Sequence, residues 1–290
     1  MVHLRFSIDL HYDIAPPGGD FIFNLQAAHT RQQRVVQERL LVSQPVPLLM
    51  HTDPGTHTRG LRLSAHPGHL HVAYTATVEV QHHSALPADI REVPVAQLPP
   101  EVLVYLYPSR YCPSDRLSTL AMQTFGALPQ GYLRVRAIQN WVQKHVTFQS
   151  NSSTSTTWAL DTLADRVGVC RDFAHLMITL CRALSIPARF TTGIDYGADP
   201  ALGPTDFHAY VEVFLGGRWY LFDPSGTAIP MGFVRIGTGR DAADVSFATI
   251  FGPVVAQPPV IAIEAVVDAH AGWTLPVRVD QALSTDGAPA

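Results

Sequence analysis

The stretch GVCRDFAHLMITLCRALSIPARF (Gly168–Phe190) decides the reading of this chain. Phe173, Leu176, Met177, Leu180, Cys181 and Leu184 fall at i, i+3, i+4, i+7 spacing, so the sequence predicts a helix over Cys170–Leu184 with one apolar face. Ile186-Pro187 stops it, because proline cannot continue a helix and disfavours helical backbone in the residue before it. Cys170 falls in line with the apolar stripe, in the first turn, directly after Gly168-Val169. First-turn N–H groups have no partner within the helix, and the helix dipole adds partial positive charge there. Both favour a thiolate, the nucleophilic form of cysteine. Cys181 shares the face but sits three turns further on, roughly 16 Å along the axis, and reads as core filler. On the helix alone, Cys170 is equally compatible with being a small buried apolar residue.

Downstream, Phe207–Leu215 and Arg218–Asp223 are β-rich runs joined by Gly216-Gly217, a two-residue hairpin signal. With those glycines as the loop, facing residues are 215 with 218 and 210 with 223. His208 and Asp223 then share one face as diagonal neighbours, with Cα atoms roughly 7–8 Å apart. A loop one residue longer would put them on opposite faces. An aspartate holding one imidazole nitrogen fixes the tautomer and leaves the other nitrogen for a thiol.

Outward from this region the chain changes character. Residues 1 to about 110 read as strands (Leu4–Leu10, Gln33–Val42, His69–Glu79, Val102–Leu106) broken by proline- and glycine-rich turns, an all-β, sandwich-like domain. Helical patterns at Asp115–Phe125 and Tyr132–His145 open a second domain, 111–265. A polar loop, Gln149–Thr157, precedes the Cys170 helix, and 266–290 forms a last strand and a tail whose end should fray.

Of 290 residues, 47% are hydrophobic and 15% charged, which excludes a largely disordered chain. A net charge of −4 carries no polybasic footprint, so neither nucleic acid nor an anionic membrane is an expected partner. No signal-peptide pattern opens the sequence and no apolar run reaches the roughly 18–20 residues of a membrane-spanning helix; a cytoplasmic location is the expectation. Three cysteines (Cys112, Cys170, Cys181) make neither a disulfide framework nor a zinc motif. His66, His69 and His71 cluster, but with 14 histidines in the chain and no adjacent cysteine or carboxylate, no metal or other cofactor is expected.

Four segments together resemble the bacterial transglutaminase-like family: Gly168-Val-Cys-Arg-Asp-Phe-Ala-His175, Cys181-Arg-Ala-Leu-Ser-Ile-Pro-Ala-Arg189, His208-Ala-Tyr-Val-Glu-Val213 and Asp223-Pro-Ser225. Gly239-Arg-Asp-Ala-Ala-Asp-Val245 and Tyr107-Pro-Ser-Arg-Tyr-Cys-Pro113 also resemble segments of its bacterial members. The family often has a tryptophan where Tyr210 stands and a threonine where Ser225 stands. The resemblance implies an α+β, papain-like core in which a nucleophile helix packs on an antiparallel sheet. It implies Cys170 as nucleophile, His208 as general base and acid, and Asp223 as its orienting carboxylate. The implied chemistry is acyl transfer or hydrolysis at an amide of a protein or peptide, through a thioester, with water or an amine as acceptor. The Cys170 N–H would be one oxyanion donor. Neither Trp141 nor Trp158 matches the tryptophan that supplies a second donor in eukaryotic relatives, and no EF-hand-like loop suggests their calcium control. Alternatives on this core are a cysteine peptidase or amidase, and a non-enzymatic binding module.

Overall fold

The computed structural model describes residues 1–198, 201 and 205–285. Its first part is a β-sandwich built from β1 (Val2–Ile14), β2 (Gly19–Phe23), β3 (Gln33–Val42), β4 (Leu49–Thr52), β5 (Arg59–Ala65) and β6 (Gly68–Val80), with a short β7 (His83–Ala85) after it. Alternation drives it. Along β1, Val2, Leu4, Phe6, Ile8, Leu10, Tyr12 and Ile14 are all buried, facing Phe21, Phe23, Leu61 and Leu63 of the second sheet.

The core follows with α1 (Ser118–Phe125), α2 (Tyr132–His145), β8 (Thr147–Phe148), α3 (Ala159–Asp165), β9 (Val167–Gly168), α4 (Cys170–Ala183), β10 (Ala188–Asp195), β11 (His208–Leu215), β12 (Arg218–Phe222) and β13 (Phe233–Gly239). The sheet is antiparallel in the order β12-β11-β10-β13. Its inward side chains, Ala209, Val211, Val213 and Phe222 among them, pack on Phe173, Leu176, Met177 and Leu180 of α4. Toward the β13 edge of the sheet, Ile194, Val234 and Ile236 enter the hydrophobic core of the sandwich, so the two domains share apolar packing.

Three expectations change. Pro100–Leu106 is a 3-10 helix and not a strand: Val102 and Tyr105, three residues apart, are buried against Phe214 and Trp219, a spacing that suits a helical turn. The core does not run to 265. β14 (Ala248–Phe251) pairs with β2, while β15 (Val254–Ala256) and β16 (Val260–Val266) pair with β1, so the chain returns to complete the sandwich. Finally, β17 (Ala282–Ser284) pairs with β7 and is buried, so 282–284 are held in place; residues 286–290 lie outside those described. No helix among the described residues is long and apolar enough to cross a membrane.

Candidate active site

α4 is not amphipathic in the sense of having a wet face. Its polar side is buried too, and Asp172, His175 and Arg182 each hold a neighbouring segment. Asp172 Oδ2 accepts from the Val169 N–H at 2.8 Å, fixing the chain just before Cys170. Gly168 has no room for a side chain, since a Cβ would lie 2.8 Å from that of Asp172. His175 accepts from the Ala242 N–H through Nε2 and stacks on Tyr111; burial, then Arg171 and Arg182, hold its pKa far below the ordinary range, so it is neutral. Arg182 donates to the carbonyls of Tyr107, Ala188 and Arg240 and to Ser109 Oγ. Two further segments of the family pattern, 107–113 and 239–245, thus meet on this helix; they are the brace behind the cysteine.

Cys170 is half-buried at the start of α4, its Sγ 3.9 Å from the Phe207 carbonyl. Cys112 and Cys181 are fully buried; burial pushes the Cys112 thiol up to about 12 and that of Cys181 higher still, which suits packing and not reactivity.

The hairpin has the register expected from its loop: Leu215 faces Arg218 and Val211 faces Phe222, with Gly216 and Gly217 at φ 55° and 80° as a tight two-residue turn requires. His208 Nε2 therefore lies 3.4 Å from Asp223 Oδ1, both side chains almost fully buried. Cys170 is close enough to the same ring for its sulfur to favour the charged imidazole. Asp223 faces Nε2, which leaves Nδ1 as the ring nitrogen on the opposite side. Burial alone would lower the His208 pKa, but Asp195, Cys170 and the hydrogen bond to Asp223 outweigh it and hold it well above the ordinary value. Burial likewise opposes the Asp223 carboxylate, yet hydrogen bonds from His208, Ser225 and the Ala228 N–H keep its pKa below the usual range.

The hairpin pattern alone did not reveal two neighbours. Ser225 donates its N–H (3.1 Å) and its hydroxyl (2.6 Å) to Asp223 Oδ1, and the hydroxyl is 3.5 Å from His208 Nε2. Its place two residues after an aspartate in Asp-Pro-Ser, a side-chain-to-backbone turn, was the available signal. Asp195, at the end of β10, places Oδ1 3.6 Å from His208 Nδ1; nothing local in the sequence marks it. Ser225→Ala is expected to slow iodoacetamide labelling of Cys170 at neutral pH about tenfold, consistent with losing one hydrogen bond to a charged group, and Ser225→Thr to restore it. An unchanged rate in Ser225→Ala would reduce Ser225 to a turn residue.

The histidine cluster of the sandwich is engaged elsewhere. His69 contacts Asp13, His71 contacts Asp9, and His11 lies 3.1 Å from His69 and stacked on His71. Among the described residues no group of His, Cys, Asp and Glu has an arrangement suited to a metal ion. Trp141, on α2, stacks on His145 and packs on Phe125.

Residues 118–224 match the transglutaminase-like superfamily, and residues 2–101 match the bacterial transglutaminase N-terminal domain. The chain belongs to the bacterial transglutaminase-like family. A solved protein from Cytophaga hutchinsonii, described as a candidate cysteine protease, shares 37% identity over 98% of this chain and 97% of its own, with a TM-score of 0.90. Uncharacterised proteins of Mycobacterium leprae (27% identity over 49% of this chain) and Mycobacterium tuberculosis (31% over 38%) are also similar. Those matches span only 52% and 39% of the relatives' own length.

Proposed function

We propose that this protein is a thiol-dependent enzyme that cleaves amide bonds of a protein or peptide, glutamine side chains included, through an acyl thioester on Cys170. The observation that carries this reading is the buried imidazole of His208: Asp223 lies 3.4 Å from its Nε2, and Cys170, at the start of α4, lies close enough to favour its charged form. His208 takes the thiol proton, and the thiolate attacks the amide carbonyl. The Cys170 N–H, which its helix leaves without a partner, is placed to receive the developing oxyanion. Imidazolium then protonates the departing ammonia or amine, leaving the thioester. Water or a second amine gives its proton back to His208 as it attacks, and the acid or the new amide departs from sulfur. Hydrolysis draws support from the likeness to the C. hutchinsonii protein.

The test is trapping. Purified wild type is incubated with a peptide pool, quenched in acid and weighed intact, then mapped by fragmentation. An acyl adduct on Cys170, lost in His208→Ala and in Cys170→Ala, is the expected result, and its mass names the donor. An adduct that persists in His208→Ala, or absence of any adduct across peptide pools of varied composition, would leave a binding module as the better reading.

A further inference from the structure

His208 has carboxylates beside both ring nitrogens, and the triad uses only one of them. Asp223, on Nε2, is saturated with donors. Asp195 is different. It is 2% exposed, its Oδ1 lies 3.6 Å from Nδ1, and its Oδ2 has no hydrogen-bond partner among the described residues. Buried carboxylates are normally hydrogen-bonded, and an unpaired one is costly. The charge partner that the geometry gives Asp195 is the imidazole itself.

Its placement follows from the sheet. β10 pairs with β11 so that Gly193 stands directly across from His208, and the pairing of β10 with β13 slips between Thr192 and Gly193. A Cβ at Gly193 would run into the Val234 carbonyl and the Phe233 ring, so β10 presents no side chain straight across from the histidine. Asp195, two residues on and on the same face, is the side chain it brings to the ring instead. The other groups facing this imidazole are Cys170 from α4, Asp223 and Ser225 beyond β12, Tyr210 on its own strand with rings 4.7 Å apart, and Asp206 just before that strand.

We propose that Asp195 is a positioning residue for the nitrogen that carries the proton: a second carboxylate that stabilises the imidazolium from the Nδ1 side while Asp223 fixes the ring from the Nε2 side. The inference rests on Cys170, His208 and Asp223 working as a triad. The proton moves from Cys170 Sγ to Nδ1 and on to the leaving amine; Asp195 accepts no proton in that cycle and acts by its charge. Burial raises the Asp195 pKa, His208 lowers it and Asp223 raises it again, the mutual influence expected of two carboxylates around one cation.

The experiment follows the His208 ring nitrogens by NMR through a pH titration, the signal being assigned by its loss in His208→Gln. In wild type, His208 should stay doubly protonated well above the ordinary value of about 6.5. In Asp195→Asn the midpoint should fall by roughly one to three pH units, and Asp195→Glu should recover part of that. If Asp195→Asn does not fold, Asp223→Asn answers the same question: with Asp195 still in place its midpoint should remain above about 6.5, and a return to that value overturns the proposal. Iodoacetamide labelling of Cys170 separates the two levels. A rate unaffected by His208→Ala removes the triad and the role of Asp195 with it. A rate that depends on His208, beside a His208 midpoint unmoved in Asp195→Asn, removes Asp195 alone.

Discussion

Asp223→Asn should slow acylation of Cys170 by about 10³–10⁴-fold, the loss seen when a triad carboxylate becomes an amide. Asp223 accepts from His208 Nε2, from the N–H and hydroxyl of Ser225 through Oδ1, and from the Ala228 N–H at 3.1 Å through Oδ2. An asparagine has one acceptor oxygen for these donors on two sides. Whichever way it turns, its NH₂ meets a donor, and the tautomer that leaves Nδ1 free is no longer enforced. The rate of adduct growth on Cys170 measures the loss; a decrease below tenfold would remove Asp223 from the mechanism. The charge also affects stability. Its folded pKa lies below the unfolded value of about 3.9, so its contribution is present above that pH and is lost as pH falls through the folded value. The variant, lacking this group, should show a smaller drop in unfolding midpoint between pH 5 and pH 2.5 than wild type.

Glu212→Gln should destabilise the fold by about 3–5 kcal/mol without touching the reacting groups. Glu212 is fully buried in β11 between two guanidinium groups, Arg189 of β10 at 2.7 Å and Arg235 of β13. Arg189 also stacks over the Trp219 ring at 4.1 Å. The backbone of Arg235 exchanges hydrogen bonds with the Gln33 side chain and accepts from the Ala28 N–H, tying the core sheet to the sandwich. Neutralising the glutamate removes the carboxylate charge that sits between two buried guanidinium groups. Denaturant midpoints in urea would show it. A cost under about 1 kcal/mol would mean that shape and packing at this junction matter more than charge.

What could be read from the sequence was what is local. The α4 periodicity, the proline stop and the Gly216-Gly217 turn each act within a few residues, so the helix start and the hairpin register followed directly. Of the sandwich strands, β1 and β6 announced themselves by alternation. Val102–Leu106 misled because a short apolar run fits a strand or a helical turn equally, and only its packing on Phe214 and Trp219 decides between them. The buried polar side of α4 was hidden for a similar reason: His175 and Arg182 look solvent-facing until segments from 107–113 and 239–245 close over them. Asp195 and the return of 248–266 to the sandwich depend on pairings between distant parts of the chain, which no local pattern encodes.

That return has a consequence for how the molecule comes into being. β1 is flanked by β6 on one side and by β15 and β16 on the other, so its second neighbours lie far along the chain from it. During synthesis its outer edge stays open until residue 266 has emerged, on the order of ten seconds or more after β1 itself. The transglutaminase-like core is threaded as a guest into a host that closes only afterwards. A fragment ending near residue 110 would therefore carry a bare hydrogen-bonding edge and tend to self-associate, whereas nicking the Gln149–Thr157 loop should leave both halves locked in one body.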